Sequence, residues 1–168
     1  MENRTEYKEL LSVLEAIDIH HEFHDEWKND IQKLRVFIQI HIGNFLPDDT
    51  DTFGTYLTRL RTFKGFTNKE LSERTGLTES TISKYLHDSG RTKEYTLALM
   101  IAFELQLPQL DAVFSLAELR IDRKTNYNDI INYYLEHSDS KAVEKCNQTL
   151  ILFGFLPLTA IGTPDYGK

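Results

Sequence analysis

The apolar spacing of this chain predicts an all-α fold, a helix-turn-helix domain with helical extensions on both sides. Three observations carry this. Apolar residues recur at intervals of three and four over most of the 168 residues. No stretch of convincing length alternates with the two-residue period of a strand. Residues 66–95 read F-T-N-K-E-L-S-E-R-T-G-L-T-E-S-T-I-S-K-Y-L-H-D-S-G-R-T-K-E-Y, two short helical patterns that meet at Gly76. About eight or nine helices are expected, with no internal repeat.

Taken in order, residues 5–19 place Tyr7, Leu10, Leu11, Leu14 and Ile17 on one face. Asp25 is placed to cap a second helix running to residue 45. Trp27, Ile31, Leu34, Phe37, Ile38, Ile40 and Ile42 give it a wide apolar stripe. Leu46-Pro47-Asp48-Asp49-Thr50-Asp51 breaks the pattern and reads as a linker. Phe53, Tyr56, Leu57, Leu60 and Phe63 then mark a third helix.

The pair at the centre comes next. Thr67 is positioned as an N-cap, and Glu70 three residues on completes a capping box for a helix over 68–75. Leu71 is its inward anchor. Gly76 stands where the chain must leave that helix with positive φ. Leu77 plugs the space between the two helices, and Thr78 caps the second. Ile82 and Leu86 point inward. Glu79, Ser80, Ser83, Lys84 and His87 share the opposite face. Short hydrogen-bonding side chains with one lysine suit base edges and phosphates better than a merely solvated face.

Four more helical patterns follow. Residues 96–105 carry Leu97, Met100, Ile101 and Leu105 inward. Leu107-Pro108 opens a helix to about residue 119, with proline in its first turn. Residues 128–137 and 140–153 complete the set. The resulting organisation is an N-terminal extension, 1–47; a helix-turn-helix domain, 52–107; a C-terminal helical region, 108–158; and a flexible tail, 159–168.

Charge singles out the same segment. The chain has net charge −7, which taken whole argues against a nucleic-acid partner. Residues 52–95 nevertheless carry 8 basic and 5 acidic side chains, a net of +3, while both flanks are negative. Arg59, Arg61, Lys64, Lys69, Lys84, Arg91 and Lys93 are the candidate phosphate ligands, with Asn68 and Thr78 beside them.

The central segment resembles the helix-turn-helix of the lambda-type phage repressors and their bacterial relatives, the XRE group. The resemblance spans residues 53–107. It rests on Leu71, Gly76, Thr78 and Ile82 in the pair, on the apolar stripe before it and on the 96–105 helix after it. Four positions differ from the family's habit. Ser72 stands for the usual small alanine, Asn68 for a glutamine, Leu86 for an acidic residue and Thr92 for a proline. The resemblance implies a lambda-repressor-like domain that binds double-stranded DNA, with Glu79, Ser80, Ser83 and Lys84 toward bases.

Dyad-related half-sites call for a homodimer. Its seam is expected at Ile31, Leu34, Ile38 and Ile42; the last helix with Phe153, Phe155 and Leu156 is the other candidate, and both stripes also suit an internal core. The expected function is therefore a sequence-specific transcriptional regulator, a repressor. The rival is a protein-binding inhibitor or antitoxin-like module working through the acidic helical flanks, with the helix-turn-helix kept for autoregulation or scaffolding.

Other classes find little support. No phosphate-binding Walker loop, nucleophile elbow or H-E-x-x-H motif occurs, so no enzyme and no cofactor are expected. His20, His21 and His24 with Glu22 and Asp25 form a short cluster, which reads as solvated rather than metal-binding. Cys146 is the one cysteine, cannot form an internal disulfide and falls on an apolar stripe. No apolar run reaches the ~18 residues of a membrane span, and the N-terminus lacks signal-peptide character, so a cytoplasmic protein is expected.

Overall fold

The computed structural model describes residues 46–90, 92–120 and 125–164, with isolated positions at 13, 30 and 32–34. The chain divides into two units, Met1–Leu46 and Pro47–Lys168. The predicted helices at 5–19 and 25–45, the histidine cluster and the seam residues Ile31, Ile38 and Ile42 lie outside the described residues. Leu34 is helical and 41% exposed.

The second unit is all-α. Among the described residues it holds seven helices: α1 Phe53–Lys64, α2 Asn68–Thr75, α3 Glu79–Leu86, α4 Lys93–Ala102, α5 Leu107–Leu116, α6 Asn126–Glu136 and α7 Ala142–Leu152. Each of the first three begins at a threonine whose hydroxyl accepts an amide of its first turn: Thr52 from Thr55, Thr67 from Glu70 and Thr78 from Thr81. Gly65 and Gly76 end α1 and α2 in the left-handed region, at φ 72° and 76°.

The core centres on α4. Every residue from Leu97 to Ala102 is buried, so this helix is covered on all sides rather than along one stripe. α2, α6 and α7 pack against it, and α1 packs on α3. Tyr56, Leu57 and Leu60 of α1, Leu71 of α2 and Ile82 of α3 complete one side. Ile131, Leu135, Val143, Cys146 and Leu150 of α6 and α7 complete the other. Gln109 joins α5 to α1 by donating to the Tyr56 hydroxyl at 3.0 Å. Burial pushes that hydroxyl's pKa up to about 12.

Two sequence expectations are corrected. Residues 108–158 do not form a separate region, because α6 and α7 share the core of α2 and α4. Nor does a flexible tail begin at 159. Leu158 and Thr159 are buried, and Ile161 packs on the core. Asn147 of α7 captures this segment through its backbone, a bonding pattern that apolar periodicity does not register.

Candidate nucleic-acid interface

α2 and α3 are eight residues each, too short to persist alone, so their placement comes from tertiary contacts. The turn between them is closed by three bonds. Gly76 N–H donates to Ser72 O at 2.8 Å. Leu77 N–H donates to the buried Thr75 hydroxyl at 3.1 Å. The Ser72 hydroxyl donates to Leu77 O at 2.6 Å. The last bond accounts for serine at this position, because alanine would leave that carbonyl without this donor.

Ile82, Tyr85 and Leu86 turn one face of α3 into the core. On the other face Glu79, Ser80, Lys84 and His87 are exposed and Ser83 is half-buried. Glu79, Ser80 and Lys84 have no side-chain partner among the described residues. His87 Nδ1 lies 2.7 Å from Ser83 O, within the helix. Glu79 in the first turn and Lys84 in the last suit the helix dipole. The face therefore offers a carboxylate acceptor, a hydroxyl and an ammonium donor, all uncommitted.

The predicted phosphate ligands separate into distinct groups. Lys69, at the start of α2, and Lys93, at the start of α4, are exposed and unpartnered among the described residues. Thr78 is taken up by capping α3. Asn68 is half-buried, and its Oδ1 accepts from Arg61 Nη1 at 2.5 Å. Its Nδ2 has no partner among the described residues. Arg59 is paired with Asp51, a carboxylate almost wholly covered. Arg91 lies outside the described residues.

Lys64 is a correction. Its ammonium is drawn in and donates to the carbonyls of Phe103 at 2.6 Å and Glu104 at 2.7 Å, which close the C-terminal end of α4. Burial pushes its pKa down to about 8 against the opposing charge of Glu104. It holds a helix end and is not presented to a phosphate. Arg74 is likewise internal in role, with Glu104 at 3.4 Å and its guanidinium 4.5 Å from the Phe66 ring centroid.

Two anchors of α3 escaped sequence reading. Asp88, just past its end at φ 58°, accepts from Gly54 N–H at 2.8 Å and from the Thr52 hydroxyl at 2.5 Å. It thereby caps the start of α1 from the far end of α3. Tyr85 packs its ring so tightly on Gly90 that a Cβ there would lie 2.3 Å away. Its hydroxyl accepts from Thr92 N–H at 2.8 Å. A proline at 92 has no N–H to give, so threonine at this position keeps the bond. No helix among the described residues is long and apolar enough to cross a membrane. The chain matches no protein-family model, no curated protein and no solved structure.

Proposed function

We propose that this chain is a sequence-specific transcriptional regulator that binds double-stranded DNA through a lambda-repressor-like helix-turn-helix, a repressor acting as a homodimer. The observation that carries the reading is the outer face of α3. Glu79, Ser80 and Lys84 stand uncommitted on a helix whose opposite face is locked into the core. Glutamate accepts from cytosine N4, and lysine donates to guanine O6 and N7, so the face has the chemistry of major-groove readout. Lys69 and Lys93 supply phosphate contacts beside it.

Selection of bound duplexes from a random pool tests this. A preferred sequence should emerge. Two exposed lysines per protomer, Lys69 and Lys93, unpartnered among the described residues, make four phosphate contacts in a dimer, so log affinity against log salt should fall with a slope of roughly −4. If no duplex is enriched even at ~50 mM salt, the regulator reading is wrong.

A second reading has one observation in its favour. Leu152, Phe153 and Leu156 are 84%, 60% and 86% exposed at the C-terminal end of α7, beside an open apolar groove. Exposed apolar clusters mark interaction sites. This surface supports a protein-binding inhibitor or antitoxin-like module, and failure of the DNA selection would leave that reading standing.

A further inference from the structure

The segment 158–161 has one side on the turn between α2 and α3 and the other on a groove. Asn147, buried on α7, uses its whole amide to hold it. Oδ1 accepts from the N–H groups of Leu158 at 2.8 Å and Thr159 at 3.3 Å. Nδ2 donates to the Thr159 hydroxyl at 3.0 Å and to Ile161 O at 2.9 Å. The Thr159 hydroxyl then donates to Thr75 O at 2.5 Å. Thr75 is the last residue of α2, where carbonyls have no partner within the helix.

Next along the segment, Ile161 approaches Gly76 closely. A Cβ on Gly76 would stand 2.7 Å from Ile161 Cβ and 3.0 Å from Ile161 N. Gly76 is thus required twice, by its positive φ and by this approach. On the far side, Leu158, Thr159, Ala160 and Thr163 line an open groove of about 840 Å³ with Tyr95 of α4 and Ile151 of α7.

We propose that the segment 158–161 is a strap that fixes the geometry of the helix-turn-helix turn, with Asn147 and Thr159 as positioning residues. Its consequence for DNA rests on the regulator reading above. The chemistry is specific. Thr75 is fully buried, so a Thr75 carbonyl deprived of Thr159 has no water to replace it. The bond spans 84 positions of sequence and joins α2 to a segment that α7 holds. Loss of the strap would free the carbonyl end of α2 and remove the Ile161 contact on Gly76 together. α1 and α5 carry none of these bonds.

Thr159→Val tests the proposal, because it keeps the side-chain shape and removes only the hydroxyl. Asn147 Nδ2 retains Ile161 O in this variant, so the buried amide is not stranded. Ile161→Ala, at a half-buried position, trims the side chain that lies against Gly76 without touching a polar group. Tyr133→Ala changes an exposed side chain of α6, outside the strap and the groove, and serves as the control. Hydrogen exchange is followed at the amides of Gly76 and Leu77 in the full chain, alongside affinity for the selected duplex and for random duplex.

Thr159→Val should speed exchange at Gly76 and Leu77 by about tenfold, the equivalent of one net hydrogen bond. Exchange in α5 should stay unchanged. Preference for the selected duplex over random duplex should fall with it, and Tyr133→Ala should change neither. Unchanged exchange at Gly76 and Leu77 in the valine variant overturns the strap; if that variant does not fold, the same result in Ile161→Ala overturns it. A wild-type chain that binds no DNA sinks the regulator reading and leaves the exchange comparison to judge the strap.

Discussion

Substitution at Asp88 separates a side-chain cap from a backbone requirement. Its carboxylate takes the N–H of Gly54, the second residue of α1, at 2.8 Å, and the Thr52 hydroxyl at 2.5 Å. Its φ of 58° is a conformation that aspartate and asparagine tolerate better than alanine. Losing a helix-capping acceptor costs about 0.5–2 kcal/mol. Placing alanine in the left-handed region adds about 1 kcal/mol more. Asp88→Ala should therefore destabilise by about 1.5–3 kcal/mol, adding the two contributions. Asp88→Gly loses the cap but accepts the backbone, so about 0.5–2 kcal/mol is expected. Asp88→Asn keeps an acceptor and the backbone tolerance, and should lose less than about 1 kcal/mol. Urea unfolding followed by far-ultraviolet circular dichroism gives the order, provided the slope with denaturant is unchanged. Glycine matching asparagine would show that the two bonds contribute nothing. Asparagine as damaging as alanine would show that charge, not the acceptor, is what α1 requires.

Three further outcomes are expected. Lys64 titrates near 8 in the folded chain and near 10.5 when unfolded, so between those values the unfolded state holds more protons and stability rises with pH through this group. The stability difference between the parent and Lys64→Met should thus shift in the parent's favour by about 1–2 kcal/mol from pH 7.5 to 9.5, and a flat difference removes the burial argument. Comparing the two proteins cancels Cys146, whose thiol is pushed up to about 12 by burial and which lowers stability above pH 9 in both. Lys84→Ala should cost about 1–3 kcal/mol on the selected duplex and relax preference at one base pair, whereas Lys93→Ala should weaken all duplexes alike; identical behaviour would make Lys84 a phosphate ligand only. Light scattering at ~100 μM, far above operator-level affinities, should find a dimer. A chain beginning at Asp51 that stays dimeric places the seam at Leu152, Phe153 and Leu156, one that becomes monomeric favours Ile31, Leu34, Ile38 and Ile42, and a monomeric full-length protein ends the dimer proposal.

Local chemistry was readable and distant chemistry was not. The Thr67–Glu70 capping box, Gly76 at positive φ, the Thr78 cap and the inward Leu71 and Ile82 are decided within four residues of chain, and the sequence displays all of them. Lys64 was misread because its carbonyl partners lie 39 and 40 residues away. A lysine in a basic segment looks solvated until α4 is seen to end beside it. Asp88 reaches back 34 residues and Thr159 reaches back 84, and neither leaves a periodic trace. The unusual residues of the motif could have hinted at this. Ser72 and Thr92 depart from the pattern the segment resembles, and each makes a bond that the alanine or proline of that pattern could not. A polar residue replacing an apolar or cyclic one in a compact motif is a reason to ask what it bonds.

The placement of α3 follows from these distant bonds. Eight residues cannot hold an orientation through backbone bonds alone. α3 is fixed instead at three places: Asp88 ties the chain just past its end to the start of α1, Tyr85 ties its last turn to Thr92, and the strap ties the turn before it to Asn147. None of the three uses Glu79, Ser80 or Lys84. Orientation is thus set by residues off the outer face, which is left free to vary in sequence without loss of fold. A consequence is that exchanging Glu79, Ser80 and Lys84 for other polar residues should change duplex preference with stability held within about 0.5 kcal/mol, as for surface positions generally. Loss of folding on such exchange would show that the outer face carries structure after all.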